Sequence, residues 1–553
     1  MKTYLLLQGP NLDMLGMRNP EIYGKLTLSE IEKIMFAEAN KLGVELECFQ
    51  SNFEGELIEK IHSAHKYAGV IYNPAAHTHY SYALRDAVEC IDTPFVEVHL
   101  SNIYERESFR AFSVFKEVCL DQIVGQGVEG YKKALHILVE YTNGPKVNPK
   151  EGCNMEAKSQ ACSPEEQKAL ENLKVILEKA AQPINPANRI ARVRSVMAEE
   201  NLDVMFVRNQ SDIKWLTAFD GVFDSEAAHC LFITKDEIIL HTDSRYSKAC
   251  ARAAENTEIT VDGERRSHAA FIVEQINRVF ADSEVRLGVE DTLTLAEFHI
   301  LEEQAGKVLG SIELVEMKPF IINLRAIKDE PEITRHRAAQ AITDCAFSHI
   351  CHFIVPGKTE REIQMELEGY MFKLGAEDLA FSSIVASGPN GADPHAIPGS
   401  RKVCEGDSIV IDFGAKVYGY CSDMTRTVFV GQPSEKIQRA WNALYKSQKT
   451  AREAVSPELT GAEIDVIANE VLEAEGFGGC MGHSLGHGVG MDVHELPVLA
   501  HVNKNKLAPG SVVTVEPGIY IANEFGMRLE DFGVVTSDGF DLFTQSTHEM
   551  VIL

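Results

Sequence analysis

Residues 69–101 read GVIYNPAAHTHYSYALRDAVECIDTPFVEVHLS. Two short apolar runs, Val70–Tyr72 and Phe95–Val98, predict β-strands, and Ser81–Cys90 between them has the apolar spacing of a helix. A strand, a helix and a second strand in this order predict two parallel strands joined by a crossover helix. The stretch therefore indicates an α/β sheet whose two faces are covered by helices.

The same alternation extends over the first 142 residues. Further strands are predicted at Tyr4–Leu7, Glu45–Phe49 and Gln122–Val124, and further helices at Leu28–Leu42, Glu54–Lys66 and Glu129–Tyr141. Strands interleaved with crossover helices predict a doubly wound parallel sheet, which binds its ligands beyond the carboxyl ends of the strands.

The remaining sequence divides into three segments. Residues 143–167 lack apolar periodicity and predict a linker, and near its end Ser163 and Pro164 supply a cap and a first-turn proline for a helix through Ala181. A second α/β pattern starts at Pro186, and long helices and Gly-rich strands replace it near Ile327. Its main predicted elements are the helices Arg189–Glu200, Glu330–Ile354 and Glu360–Leu374 and the strands Val204–Val207, Leu231–Ile233, Ile238–His241 (the last two as a hairpin), Arg286–Val289, Ser408–Asp412, Thr425–Val430 and Ser511–Glu516.

Composition and charge exclude several classes of protein. The hydrophobic share of 45% and the charged share of 24% are ordinary for a folded globular protein. A net charge of −29 argues against nucleic acid or an anionic membrane as the main partner. No run approaches the roughly 18 apolar residues of a membrane span, and the N-terminus does not read as a signal peptide. Twelve scattered cysteines without a C-x-x-C pair favour reduced thiols, so we expect a soluble, cytoplasmic protein.

Polar and ionisable side chains follow three of the predicted N-terminal strands. Because the carboxyl ends of parallel strands meet at one edge of the sheet, these side chains predict a single crevice. A phenol with a pKa of about 10 is a poor base, but one or two nearby arginines could lower its pKa by about two or three units. The candidates for a proton-abstraction site are Asn11, Arg18 and Tyr23 after the first strand, Asn73 and His79 after the third, and Glu97, His99, Ser101 and Arg110 at or after the fourth.

Residues 1–142 resemble type II 3-dehydroquinate dehydratase in the blocks GPNLDMLGMRNPEIYG, NPAAHTHYSYALRDA and FVEVHLSNIYERESFR. The resemblance implies a flavodoxin-like fold and the trans-dehydration of 3-dehydroquinate to 3-dehydroshikimate, a step of the shikimate pathway, without a cofactor. It also implies a dodecamer built of trimers, in which Asp86 reaches the site of a neighbouring subunit. Gln8, Phe53, His77 and Tyr80 depart from the usual pattern, and none is an acid or base in the implied mechanism.

The resemblance also implies a role for each candidate residue. Tyr23 would be the phenolate base that takes the proton from C2, and Arg18 would lower its pKa. Asn11 would position a water that stabilises the enolate. His99, held by Glu97, would protonate the leaving C1 hydroxyl. The residues that would bind the substrate are Asn73, His79, Leu100, Ser101 and Arg110.

Five candidate metal ligands occur in the C-terminal half of the chain. Asp412 ends the strand SIVIDFG, and Asp423 follows eleven residues later, which is the spacing of a hairpin. Four carboxylates and one imidazole suit Mn²⁺, Co²⁺, Fe²⁺ or Zn²⁺, and a pair of such ions lowers the pKa of a bridging water and stabilises the intermediate of amide hydrolysis. The other three ligands are His487, Glu516 and Glu530. Nearby loops hold His395 and His494 as candidate proton donors or carbonyl binders, whereas His483, His501 and His548 are interpreted as mostly structural.

Residues 186–553 resemble the Xaa-Pro peptidases, aminopeptidase P and prolidase, of the "pita-bread" metallopeptidases. The resemblance implies two divalent metal ions, with Mn²⁺ favoured over Co²⁺, Zn²⁺ and Fe²⁺, and makes all five candidates metal ligands. It also implies that Glu516 is the general base through the bridging water, that His395 and His494 are catalytic, and that Arg528 lies near the substrate. The segment up to Arg325, with WLTAF and TDSRYSKAC, resembles the creatinase-type N-terminal domain, which screens substrate size and often forms a dimer contact.

Three functional hypotheses follow from the two site patterns. The first is a bifunctional lyase and metallopeptidase, acting on 3-dehydroquinate and on Xaa-Pro peptides. In the second, one half is active and the other is an oligomerisation or binding module, and in the third the chain is a scaffold. We expect the first, in a homo-oligomer with a dodecamer-type core from the N-terminal half and a dimer contact from the C-terminal half. The expected domains are residues 1–142, 143–185 (linker and helix), 186–325 and 326–553.

Overall fold

The computed structural model describes residues 2–17, 26–103, 113–116, 118–143, 164–224, 226–281, 283–307 and 310–553. The chain forms two compact units, Met1–Ala161 and Cys162–Leu553, called here the N-terminal and C-terminal units. Among the helices of the described ranges, none has the length and the apolar character needed to cross a bilayer.

The N-terminal unit contains a five-stranded sheet in the order β2-β1-β3-β4-β5, and every neighbouring pair is parallel. This order places the topological switch point between β1 and β3. The predicted flavodoxin-like fold is confirmed. The strands are β1 (Thr3–Gln8), β2 (Glu45–Gln50), β3 (Gly69–Asn73), β4 (Phe95–His99) and β5 (Asp121–Val124), and the helices are α1 (Leu28–Leu42), α2 (Glu54–His62), α3 (Tyr82–Glu89) and α4 (Gly127–Asn143).

The central strand β1 shows why this sheet is covered on both faces. Tyr4 and Leu6 pack into one apolar cluster, whereas Leu5 and Leu7 pack into another. Side chains alternate between the faces of a strand, so a continuous apolar run is buried only when helices cover both faces. The helix predicted through Lys66 is shorter than expected, because α2 ends at His62 and a 3₁₀ turn follows it.

The C-terminal unit begins with two helices and a six-stranded sheet in the order β11-β10-β6-β7-β8-β9. The predicted hairpin is present as the antiparallel pair β7–β8. The elements are α5 (Pro164–Ala180), α6 (Ala187–Glu199), β6 (Val204–Val207), α7 (Gln210–Thr217), β7 (Cys230–Ile233), β8 (Ile238–His241), α8 (Ser247–Ala253), β9 (Ile259–Asp262), α9 (His268–Phe280), β10 (Glu284–Glu290), α10 (Leu295–Ala305), β11 (Ser311–Met317) and α11 (Ile321–Arg325).

Long helices and largely antiparallel sheets form the rest of this unit, with β17 and β25 paired in parallel. The larger sheets have the orders β13-β14-β17-β25 and β19-β18-β20-β23-β24. The helices are α12 (Glu330–Phe353), α13 (Glu360–Lys373), α14 (Glu435–Ala454) and α15 (Gly461–Ala474). The strands are β12 (Asp378–Leu379), β13 (Ile384–Ser387), β14 (Ser408–Phe413), β15 (Ala415–Val417), β16 (Tyr420–Cys421), β17 (Met424–Phe429), β18 (Gly486–Gly488), β19 (Glu495–Leu499), β20 (Val512–Val515), β21 (Gly518–Ile521), β22 (Phe525–Arg528), β23 (Asp531–Val535), β24 (Phe540–Leu542) and β25 (Val551–Ile552).

Helix α5 is part of the main apolar core of the C-terminal unit. Leu173 and Ala180 are buried in the same cluster as Ala339 and Ile342 of α12 and Ile411 of β14. The helix predicted from Pro164 onward is therefore part of the folded C-terminal unit and not of the linker. It shares an apolar core with β14, the strand that carries Asp412.

Candidate active sites

A hairpin brings the first two carboxylates of the candidate metal centre together. Strands β14 and β17 pair antiparallel with Asp412 opposite Thr425, and the small hairpin β15–β16 is inserted between them. A Cβ atom at Gly414 would lie 2.0 Å from the Ser422 carbonyl oxygen, so only glycine permits this close approach. The inserted hairpin returns the chain so that Asp423 directly precedes β17, near Asp412.

The other three predicted ligands lie on neighbouring strands of the second sheet. His487 is in β18, Glu516 follows β20 and Glu530 precedes β23, and these strands are adjacent. His487 Nε2 lies 3.3 Å from Glu516 Oε1 and 3.6 Å from Asp423 Oδ2. Ligand atoms of Asp423, His487 and Glu530 all lie within 4.8 Å of one another. Two separate sheets thus contribute donors to one cluster.

The electrostatics of this cluster fit bound divalent cations. Burial raises the pKa of Asp423, and the Asp412 carboxylate raises it further. The pKa of Glu530 is raised in the same way by burial and then by Asp423. Burial opposes the imidazolium of His487, yet the Glu516 carboxylate raises its pKa to about 9. Buried carboxylates that repel one another require a compensating positive charge, and oxygen and imidazole donors suit divalent ions.

Unpaired oxygens in the cluster point to the same conclusion. Within the described residues, Asp412 Oδ1 and Glu530 Oε1 are buried and have no hydrogen-bond partner. Buried polar atoms are nearly always satisfied, so an orphaned carboxylate oxygen indicates a missing ligand. The residues present therefore fit the metal ions that the donor set implies.

Two threonines, which sequence reasoning missed, hold the ligands in place. Thr425 Oγ1 donates to Glu530 Oε2 at 2.7 Å. Thr514 Oγ1 accepts from the His487 backbone N–H at 3.0 Å and donates to Glu516 Oε1 at 3.3 Å. Both threonines lie in predicted strands, where a β-branched residue is expected, so the sequence carried no signal for this role.

Arg528, predicted near the substrate, is buried beside the cluster. Its guanidinium pairs with the Asp412 carboxylate and donates to Thr425 Oγ1 at 3.0 Å. It also donates to the hydroxyl of Tyr520 at 2.8 Å, and that hydroxyl lies 3.0 Å from His483 Nε2. Tyr520 was missed by sequence reasoning, and His483 was interpreted as structural, although it lies in this network.

A cavity of about 650 Å³ joins these groups to the surface. All five predicted ligands line it, together with His395, His483, His494 and Arg528. His395 and His494 are exposed at its rim, and the His494 ring lies 4.3 Å from that of His487. The structure therefore brings every predicted residue of the C-terminal site to one cavity.

In the N-terminal unit, predicted site residues lie at the carboxyl ends of β1, β3 and β4. Gln8 and Asn73 are opposite each other at the ends of β1 and β3. Asn73 Nδ2 donates to the Tyr131 hydroxyl at 2.6 Å, which donates to Gln8 Oε1 at 3.0 Å. Asn11 has a left-handed backbone conformation, and its N–H donates to Asn52 Oδ1 at 2.7 Å. Hydrogen bonds thus order the loops around the switch point.

The end of β4 carries a fully buried carboxylate and its histidine partner. His99 Nε2 donates to Glu97 Oε1 at 2.8 Å. Ser113 Oγ and Gln122 Nε2 donate to Glu97 Oε2 at 2.7 and 2.6 Å, and Thr78 Oγ1 donates to Oε1. Burial alone would raise the pKa of Glu97, but the His99 contact and these hydrogen bonds lower it below its usual value. Glu97 is therefore an ionised group that orients His99.

The other predicted N-terminal residues divide into three groups. His79 is buried at the end of the 3₁₀ turn after β3, and Leu100 and Ser101 follow β4 half-buried. Asp86 lies on α3 with 70% of its side chain exposed and pairs with Arg85 at 3.7 Å. The predicted base Tyr23, its neighbour Arg18 and the predicted substrate ligand Arg110 lie outside the described residues.

Comparison with known proteins finds three family models that match separate parts of the chain. The family models Dehydroquinase class II, Creatinase/Prolidase N-terminal domain and Metallopeptidase family M24 match residues 2–139, 189–327 and 334–537. An uncharacterized peptidase of Bacillus subtilis is 34% identical over 366 residues, which are 66% of this chain and 100% of the relative. The chain belongs to metallopeptidase family M24. Unlike a peptidase alone, this M24 chain also carries a class II dehydroquinase domain at its N-terminus.

Solved structures resemble the M24 part of the chain. The Xaa-Pro dipeptidase from Bacillus anthracis is 35% identical with a TM-score of 0.62, over 67% of this chain and 100% of that protein. The X-Pro aminopeptidase from Thermotoga maritima is 31% identical with a TM-score of 0.59, over 66% of this chain and 100% of that protein. The predicted creatinase-type domain and pita-bread fold are confirmed, and membership of M24 implies dependence on divalent metal ions.

Proposed function

We propose that the C-terminal unit hydrolyses Xaa-Pro peptide bonds with two divalent metal ions, Mn²⁺ being the native pair. The observation that carries this proposal is the convergence of five donors, two of them with orphaned oxygens, on one cavity. Similarity to Xaa-Pro dipeptidases supports the choice of substrate. The Xaa-Pro dipeptidase of Pyrococcus furiosus, for example, is 36% identical over 278 residues, which are 50% of this chain and 78% of the relative. The proposed ligands are Asp412, Asp423, His487, Glu516 and Glu530.

Each group at the cavity then has a definite task. Bound metal ions would lower the pKa of water and polarise the scissile carbonyl. Glu516 takes the proton of the attacking water, and Thr514 keeps its carboxylate oriented. His395 and His494 at the rim bind the scissile carbonyl and protonate the leaving proline nitrogen. Arg528 holds Asp412 in position through their buried ion pair.

Chelation of the full chain tests this assignment. EDTA should abolish cleavage of Xaa-Pro peptides and lower the melting temperature, because a ligand at 100 times its Kd stabilises the folded state by about 2.7 kcal/mol. Adding Mn²⁺ or Co²⁺ should restore both. Dehydration of 3-dehydroquinate, measured in the same samples, serves as the control and should not change. Peptide cleavage that persists after complete metal removal would disprove the dinuclear assignment.

We also propose that the N-terminal unit dehydrates 3-dehydroquinate to 3-dehydroshikimate without a cofactor. The ionised Glu97 that holds His99 at the mouth of the parallel sheet supports this, because an oriented imidazole can protonate the leaving C1 hydroxyl. Tyr23 would be the base, with Arg18 lowering its pKa, and Asn11 would position the water that stabilises the enolate. The proposed substrate ligands are Asn73, His79, Leu100, Ser101 and Arg110, with Asp86 contributed from a neighbouring subunit.

Replacement of the proposed base tests the lyase. Tyr23→Phe should abolish dehydratase activity and leave Xaa-Pro cleavage unchanged, since phenylalanine keeps the ring but has no oxygen to take the proton. Tyr82→Phe, at an exposed position of α3, is the matched control and should keep both activities. An unchanged dehydration rate in Tyr23→Phe would remove the assignment of the base.

The two assays also separate a bifunctional enzyme from its alternative. If only one half were active, the other serving as an oligomerisation or binding module, one activity would be missing from the intact native chain.

We propose that the oligomer has a dodecamer-type core and an M24 dimer contact, which the mass in solution tests. A cytoplasmic location is supported by the ten cysteines of the described ranges, which are recorded as thiols and not as disulfides.

A further inference from the structure

A second cluster of metal-binding side chains lies in the creatinase-type domain, away from the proposed catalytic centre. Cys230 is the first residue of β7 and His241 the last residue of β8, and they are cross-strand partners. His268 is the first residue of α9. The end of one hairpin and the start of one helix thus bring a thiol and two imidazoles together.

The spacing of the three donors matches a transition-metal site. His241 Nδ1 lies 2.9 Å from His268 Nδ1 and 3.9 Å from Cys230 Sγ, and the three ligand atoms lie within 4.8 Å of one another. Metal–ligand bonds of about 2.0–2.1 Å to nitrogen and 2.3 Å to sulfur place tetrahedral ligand atoms about 3.3–3.6 Å apart. The observed distances bracket that range, so small side-chain rotations complete the geometry.

The groups around His241 hold its ring in the orientation that histidine ligands have in protein metal sites. Its Nε2 lies 3.1 Å from the Glu264 carbonyl oxygen, which can only accept, so Nε2 carries the proton and Nδ1 presents a lone pair to the cluster. The ring stacks on Phe271 at 4.5 Å and 10°, which limits its rotation. A histidine ligand whose second nitrogen donates to a carbonyl is the usual arrangement around protein-bound metals.

The charges near the cluster permit a cation. Two arginines, Arg208 and Arg266, act on the cluster electrostatically. Arg208 is neutralised by Glu297 at 2.7 Å while it donates to the His229 carbonyl oxygen. Asp262 lies 3.8 Å from His241 Nε2 and pairs with Arg266 at 2.8 Å, so that the arginine charge is offset beside the cluster. Cys230 and His241 are buried, whereas His268 is half-buried and leaves a route from solvent.

We propose that Cys230, His241 and His268 bind one thiophilic metal ion, Zn²⁺ in type, with a fourth position open to solvent. Two imidazoles and a thiolate are donors that suit Zn²⁺, whereas harder ions such as Mn²⁺ prefer a carboxylate centre. Bound there, the ion ties the β7–β8 hairpin to the start of α9 and stabilises the creatinase-type domain. The site needs no substrate and is independent of the proposed peptidase and lyase activities.

Titration of the reduced, metal-free full chain with Co²⁺ tests this site. A thiolate-to-cobalt charge-transfer band in the near ultraviolet should rise and reach a plateau by three equivalents of Co²⁺ per chain, two of which fill the proposed catalytic centre, and Zn²⁺ should remove the band by displacing Co²⁺. The proposed catalytic donors include no sulfur, so that centre does not produce the band. Absence of the band would overturn the proposal. The cluster would then be an imidazole–imidazole hydrogen bond beside a buried thiol that binds no metal.

Variants assign the band to particular side chains. Cys230→Ala and His268→Gln should each abolish it and bind one equivalent of Co²⁺ fewer than the native chain. His268 is half-buried, so His268→Gln remains a valid test if Cys230→Ala fails to fold. Cys250→Ala, which removes a buried thiol of another apolar cluster in the same sheet domain, is the matched control and should keep the band. Retention in His268→Gln, or loss in Cys250→Ala, would disprove the assignment.

Discussion

At the scale of single residues, the two sites treat buried carboxylates in opposite ways. Glu97 accepts hydrogen bonds on both oxygens from four side chains, so the protein itself stabilises its charge. Asp412 and Glu530 each keep a buried oxygen without a partner in the described residues. A satisfied carboxylate can orient a neighbouring histidine without a cofactor, whereas an unsatisfied cluster depends on cations.

The hydrogen bonds of Glu97 lead to a prediction for Glu97→Gln. The amide NH₂ would face side chains that donate to the native carboxylate, so we expect a loss of about 1–3 kcal/mol in the free energy of unfolding of the N-terminal unit. His99 would lose its ionised partner, and kcat for dehydration should fall by about 10²-fold or more. Denaturant titration and steady-state kinetics measure the two effects.

Glu89→Gln is the control for this substitution, because Glu89 makes an exposed ion pair with Arg85 at 3.0 Å. Exposed pairs contribute about 0–1 kcal/mol, so both quantities should stay near the native values. If Glu97→Gln were as stable and as active as Glu89→Gln, Glu97 would not position the proton donor.

At the scale of elements, a buried ionic network joins the creatinase-type domain to a sheet of the proposed metal centre. Arg325, the last residue of α11, pairs with Asp212 of α7 at 2.6 Å and with Glu495, the first residue of β19. Lys328 adds a contact to Glu495 at 3.1 Å. Because Glu495 follows His494 in sequence, the network also positions the rim of the cavity.

The charge of Glu495 gives a pH-dependent prediction. Burial opposes its ionisation, yet Lys328 and Arg325 lower its pKa to about 2. A lowered acid pKa stabilises the fold above the unfolded-state value, and this contribution is lost as the pH falls through the folded-state value. Glu495→Gln should therefore cost about 3–5 kcal/mol near neutral pH, because two buried cations lose a partner. The difference from the native chain should shrink between about pH 4.5 and pH 2.

Denaturant titrations of both chains across this pH range measure the difference. Glu524→Gln, which breaks the exposed pair with Lys436, is the matched control and should cost about 0–1 kcal/mol. A Glu495→Gln cost that is small at neutral pH, or that does not decline in acid, would contradict the proposed stabilisation.

At the scale of the whole molecule, the chain consists of two units with separate apolar cores. The clusters of the N-terminal unit contain residues of its own strands and helices, and those of the C-terminal unit do likewise. Helix α5 belongs to the second unit, since Leu173 and Ala180 are buried against its core. Each unit therefore has what an independent fold requires.

Separate expression of the two units should yield two folded, active proteins. Residues 1–143 should retain dehydratase activity, and residues 164–553 should retain peptidase activity. A fragment of residues 186–553 lacks α5 and should be less stable than 164–553 by at least the roughly 2–5 kcal/mol of one buried leucine. Thermal melting compares the stability of the two fragments. Leu173→Ala in the full chain measures how much of the difference comes from the one buried leucine of α5. Insolubility of both units, or equal stability with and without α5, would contradict this division.

The secondary structure that the sequence predicted depends on local patterns. Val204–Val207, Ile238–His241 and Leu28–Leu42 occur with the predicted boundaries, since apolar periodicity and capping residues are encoded within each segment. Short strands such as β15, β16 and β18 were not predicted, because two or three residues are too few for a periodic signal. They form because neighbouring strands provide their hydrogen-bond partners.

The sequence by itself determined the fold class and the set of candidate residues, because strand periodicity and family motifs are linear properties. Only the tertiary structure decided which groups meet. Thr425 contacts Glu530 and Tyr520 contacts Arg528 through pairings of strands that no local pattern specifies. The cluster at Cys230 likewise depends on a cross-strand pair and the start of a distant helix. Distances between such side chains follow from packing of the whole unit, which a linear pattern does not contain.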